Sequence, residues 1–145
     1  MQNYHDPHAE IVEVGFATLD SVTIVTTIGS ANISVATSGQ MPAPVFERPQ
    51  SASFSEKKSQ SGDYVEQEFE AVFTNSQAEY VGYFRQYLDQ DGIVMVRYSN
   101  GTVLVAGTDT SPVRCTIEES GSPKTLKLSF NRQSPEFAKI LQSLS

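Results

Sequence analysis

The chain has 145 residues, with 10 basic against 17 acidic side chains, a net charge of −7 and a pI near 4.7. That length suggests one domain with a core of its own. The charge argues against broad binding to phosphate backbones or anionic membranes. With 19% charged residues and 29 Ser and Thr, the composition excludes a coiled coil, a collagen-like chain and a mostly disordered one.

Residues 1–9 (MQNYHDPHA) form a polar N-terminal arm, and residues 10–145 a single β-sandwich domain. Neither a basic, apolar signal segment nor a run of about 20 apolar residues is visible. One cysteine, Cys115, cannot make an internal bridge, so synthesis in a reducing cytoplasm is expected.

Ile11, Val12, Val14 and Phe16 begin a β pattern, followed by Val22 to Ile28 and by Asn32 to Thr37 after a turn at Gly29-Ser30. β-branched Val, Ile and Thr fit pleated surfaces better than helices. Val22 to Phe46 carries no charge. Such a stretch is hazardous as an open edge, so it belongs in the interior or under another chain. Pro42, Pro44 and Pro49 make 38–50 an extended loop.

Ser51 to Thr74 spells a long hairpin about Ser61-Gly62. That register sets Phe54 opposite Phe69, Ala52 opposite Ala71 and Lys57 opposite Glu66, apolar pairs on one face and polar pairs on the other. Ser76 to Leu88 (about 76–89) has a capping box, Ser76 with Glu79, and an apolar stripe of Tyr80, Val81, Phe84, Tyr87 and Leu88. A flanking α-helix is expected there, with Gly92 past its end.

Ile93 to Gly107 is a hairpin about Asn100-Gly101, taken as a two-residue type I′ turn. Tyr98 would then pair with Val103, Val96 with Val105 and Met95 with Ala106. Both faces are apolar, so the hairpin should be covered on both sides. Val113 to Ile117 and Leu126 to Phe130 make a further hairpin, with Cys115 pointing inward. Ser134-Pro135-Glu136 predicts the start of a short C-terminal helix carrying Phe137, Ile140, Leu141 and Leu144. The fold class expected is mainly β: an antiparallel sandwich or flattened barrel of about seven to nine strands, with one flanking helix.

No residue set spells catalysis, cofactor binding or a metal site. His5, Asp6 and His8 sit on the arm, and no histidine follows to serve a Ser-His-Asp or Cys-His centre. Cys115 among apolar neighbours is inert rather than nucleophilic. Glu66, Glu68 and Glu70 alternate on an exposed strand face, which suits solvation or lysine pairing. Asp89-Gln-Asp91-Gly92 lacks the later acidic ligands of a calcium loop. Asn32-Ile-Ser34 and Asn100-Gly-Thr102 match the glycosylation acceptor by chance.

Tyr64 to Phe73, the stripe from Tyr80 to Leu88, Val94 to Gly107 and Pro112-Val-Arg114 together resemble tail tube and related structural proteins of phages that infect Bacteroides-type bacteria. The resemblance covers about half the chain. It implies a β-sandwich that forms stacked homo-oligomeric rings, without a catalytic site. It implies other tail or connector proteins as partners, DNA as a repelled passing cargo, no membrane, and a place in the virion after synthesis in the host cytoplasm. A tail-terminator or head–tail connector ring is the alternative within that class. A monomeric ligand- or glycan-binding module displaying Tyr98 or Tyr64 is the alternative outside it.

Overall fold

The computed structural model describes residues 10–27, 29–37, 46–74, 90–120 and 125–144. Among them lie eleven strands: β1 Ile11–Thr18, β2 Val22–Val25, β3 Asn32–Thr37, β4 Phe46–Glu47, β5 Ser51–Lys58, β6 Val65–Thr74, β7 Gly92–Tyr98, β8 Val103–Ala106, β9 Thr116–Ser120, β10 Thr125–Ser134 and β11 Lys139–Leu144. The protein is mainly β, as expected, with more strands among the described residues than the seven to nine anticipated. The helix expected over 76–89 lies outside the described residues, as do the arm and positions 38–45.

The strands form a seven-stranded sheet, β2-β3-β11-β8-β7-β1-β4, and a four-stranded antiparallel sheet, β5-β6-β10-β9. The larger sheet must curl. β1 and β2 stand five places apart in it, about 24 Å if it were flat. Only the 3-10 turn Leu19–Ser21 joins them, so Thr18 and Val22 are at most about 14 Å apart.

The curl creates two cores. One lies between the sheets and unites Val14, Phe16, Val94 and Val96 with Phe69, Phe73, Leu126 and Phe130. Phe69 and Phe130 stack with centroids 5.4 Å apart. The other lies inside the curl and gathers Ala17, Val22, Ile33, Val35, Ile93, Met95, Val103 and Val105. Alternate residues of β7 therefore enter different cores, and both faces of the β7–β8 hairpin are buried, as its apolar pattern required.

The β5–β6 register is the expected one: Ala52 faces Ala71, Phe54 faces Phe69 and Lys57 faces Glu66. The β7–β8 register differs by one residue, with Met95 opposite Val105 and Val96 opposite Leu104. Gly101 N–H donates to the Tyr98 carbonyl and Tyr98 N–H to the Thr102 carbonyl, at 2.9 and 2.8 Å. The loop thus holds three residues, with Gly101 at φ 91°. This is a turn with a glycine bulge, instead of the two-residue turn.

Two further expectations are corrected near the C-terminus. Residues 139–144 are a strand where a short helix was expected. Ser134 Oγ does bond the following turn, donating to the Glu136 carbonyl at 2.6 Å, but the chain leaves that turn extended. A helix of about ten residues is too short to hold by itself, and the gap between β3 and β8 supplies backbone partners on both sides. β11 also runs parallel to β3, so the pairing is mixed instead of antiparallel throughout. The segment before β9 is corrected as well: Val113 makes an isolated bridge to Gly92, and the strand begins at Thr116.

Candidate functional site

Three features could carry function: the sheet edges, a polar row at one end of the inter-sheet core, and a cleft where the chain crosses between sheets. In the four-stranded sheet the edges are β5 and β9. Each successive pair is antiparallel, so β5 and β9 run in opposite directions. The outward face of this sheet is polar. Ser51, Ser53 and Ser55 stand on β5, Glu66, Glu68 and Glu70 on β6, Asn131 and Gln133 on β10, and Thr116 and Glu118 on β9, all of them exposed. Glu70 pairs with Lys127 at 3.6 Å. Lys57 on one edge and Glu118 on the other carry opposite charges on this same face.

The larger sheet ends on β2 and β4. β4 is secured to its neighbours: the Arg97 guanidinium lies 4.3 Å from the Phe46 ring centroid and bonds Glu13 at 3.0 Å. β2 ends in Val25, which is 67% exposed. The uncharged stretch therefore divides. Val22, Ile33 and Val35 are buried inside the curl, while Val25 is left on an open edge.

At one end of the inter-sheet core the inward face turns polar. Glu56, Gln67 and Arg132 continue the row of Phe54, Phe69 and Phe130 across β5, β6 and β10. Gln67, 1% exposed, donates from Nε2 to Glu56 Oε2 at 2.8 Å. The carboxylate fixes which way this amide points. Arg132 donates to the Ser111 and Pro112 carbonyls at 3.1 and 2.7 Å and to Ser111 Oγ at 2.9 Å. Burial lowers its pKa. Gln67 Oε1 and Arg132 Nε are left without a hydrogen-bond partner.

From Ser134 the chain crosses to the larger sheet through 135–138. Two carboxylates fasten this crossover. Glu56 Oε2 accepts from Ala138 N–H at 2.7 Å. Glu136 Oε1 accepts from Gly29 N–H at 2.6 Å, and its Oε2 meets Lys139 Nζ at 3.2 Å. Lys139, only 3% exposed, also donates to the Thr27 carbonyl at 2.8 Å. Beside the crossover lies a cleft of about 350 Å³, bounded by Gly29–Ala31, the β5–β6 turn and Pro135–Ala138.

The residues weighed from sequence are dispersed. His5, Asp6, His8 and Asp89 lie outside the described residues. Cys115 points into the inter-sheet core, and burial pushes its thiol up to about 12. Asp91 accepts two hydrogen bonds from Arg114, at 2.8 and 3.1 Å. Asn100 Oδ1 accepts from Thr102 N–H, and Asn32 Oδ1 from Gln142 Nε2. Tyr98 packs against the inter-sheet core, whereas Tyr64 lines the cleft. The Glu56–Gln67–Arg132 row was missed, although its signal was present: the β5–β6 register already set Glu56 opposite Gln67 on the apolar face.

Comparison with protein-family models, curated proteins and solved structures finds no match. Among the described residues no helix is long and apolar enough to cross a membrane.

Proposed function

We propose that the chain is a self-assembling structural subunit of a phage or phage-like tail, a tube protein whose copies form stacked rings in the virion. The four-stranded sheet carries this reading. Its edges run in opposite directions, so a second copy set beside the first in the same orientation brings its β5 antiparallel to the first copy's β9. The hydrogen-bonding pattern then continues from copy to copy. A contact of this head-to-tail kind forms a ring when the rotation closes. Ser53 on β5 and Thr116 on β9 lie at one level of the sheet and would face each other across the junction.

The outward face of the sheet suits the inside of such a ring. Its serines, amides and glutamates offer DNA hydroxyls and negative charge, and few cations for phosphates to hold. The neighbours in the tail, under this reading, are other copies and other tail or connector proteins.

Electron microscopy of the purified chain, with light scattering, tests the reading. Rings or tubes are expected. Ser53→Lys together with Thr116→Lys should break them, because like charges would then stand opposite each other across the junction. A single closed ring that never stacks would indicate a terminator or connector. A monomer at every concentration would defeat the assembly reading altogether.

A further inference from the structure

The cleft beside the crossover is a fixed, partly apolar hollow whose polar groups are unevenly spent. Its volume of about 350 Å³ falls within the range of small-molecule sites. Its floor is the crossover itself. There the Ala138 amide is held by Glu56, and Glu136 is held by Gly29 and Lys139. The floor is therefore set before anything binds, which lowers the ordering cost of binding.

Pro135, Phe137 and Ala138 give the floor an apolar surface. Phe137 is 42% exposed, one of two large apolar side chains so exposed among the described residues. The charge of Glu136 is taken up by Lys139. Lys58 and Tyr64 also line the cleft, and Tyr64 borders a second hollow with Lys57 and Glu66. Neither side chain has an ion-pair or hydrogen-bond partner among the described residues, and the two residues flank the β5–β6 turn. In a chain of net charge −7, a general attraction for anions is absent, so affinity for one must be local.

We infer that this cleft binds a small amphipathic carboxylate, an aryl or branched-alkyl acid. The acid group meets Lys58 and Tyr64, and the apolar body lies on Phe137 and Pro135. A charge-assisted hydrogen bond to the ammonium selects the acid over its neutral counterpart. The stacked or edge-on ring contact with Phe137 selects an aromatic body over a small polar one. This site is independent of the assembly reading, because a monomer and a ring would both carry it.

Saturation-transfer NMR on the full chain tests it in either state, with phenylacetate as probe and phenylacetamide as its neutral isostere. Phenylacetate should bind at or below about 10 mM and the amide about tenfold more weakly. Lys58→Gln, at an exposed position, should bring the two ligands level. Phe137→Ser should weaken both. Transfer from neither ligand, equal binding of acid and amide to the native chain, or an unchanged preference in the Lys58→Gln variant would each overturn the assignment.

Discussion

The two hairpins β5–β6 and β7–β8 look alike in sequence, each an alternation of β-formers about a glycine turn, yet their registers were unequally legible. β5 and β6 each have one polar face, with Ser53, Ser55 and Lys57 on one strand and Glu66, Glu68 and Glu70 on the other. A slip of one residue would turn those side chains into Phe130 and its neighbours, so one pairing wins. β7 and β8 are buried on both faces, at Ile93 and Met95 as at Val94 and Val96. There a slip exchanges apolar for apolar, and the choice falls to the turn. A strand that is half wet announces its register, whereas a strand that is wholly dry leaves it to the loop.

The sharpest way to break that contrast is to place a charge on each face of each hairpin. Lysine at Val94 or at Met95 should cost about 3–5 kcal/mol, because both faces lack water and a partner. Phe69→Lys should cost as much. Glu68→Lys, on the wet face, should stay within about 0.5 kcal/mol. Urea unfolding measures all four, and tolerance of either β7 lysine would mean that its face is open to solvent.

Cys115 tests the dryness of the inter-sheet core shared by both hairpins. Its folded pKa is raised to about 12 from 9.0, so between those values the folded chain keeps a proton that the unfolded chain has lost. Stability present below pH 9 should therefore fall as pH rises, by about 1.4 kcal/mol per pH unit from this one group. Cys115→Ala removes that dependence. Its deficit relative to the native chain at pH 8 should shrink at pH 10, and parallel unfolding curves at both pH values would place the thiol in contact with water.

The smallest effects belong to the turns. Gly101 and Gly62 both have positive φ, at 91° and 79°. A Cβ at Gly101 would meet nothing within 4 Å, and one at Gly62 only the Lys58 Cε at 3.9 Å. Alanine at either should thus cost backbone strain alone, about 1–2 kcal/mol. Gly92 differs, since its added Cβ would overlap the Ala17 carbonyl. Thermal melts that show Gly101→Ala to be neutral would show that the bulge is dispensable.

Much of the β architecture was legible because single strands carry their own periodicity. β3 and the pairing of β5 with β6 follow directly from residue type. The C-terminal strand did not, because Phe137, Ile140, Leu141 and Leu144 are spaced as a helix would space them. The competing demand, an open slot between β3 and β8, is made by residues about a hundred positions away on one side and about 35 on the other. The buried Lys139 was hidden for the same reason, as its partners Thr27 and Glu136 come together only once the crossover forms. Of the candidate cleft, Tyr64 was visible as a displayable aromatic, while the pairing that leaves Lys58 unspent was not.

The placement of β11 bears on how the chain comes into being. Although it follows every other described strand in order of synthesis, it lies third of seven in the large sheet, separating β3 from β8. A nascent chain stalled short of Lys139 would hold two unfinished ladders apart, with nothing to bridge them. The seven-stranded sheet is complete only once this keystone strand is in place.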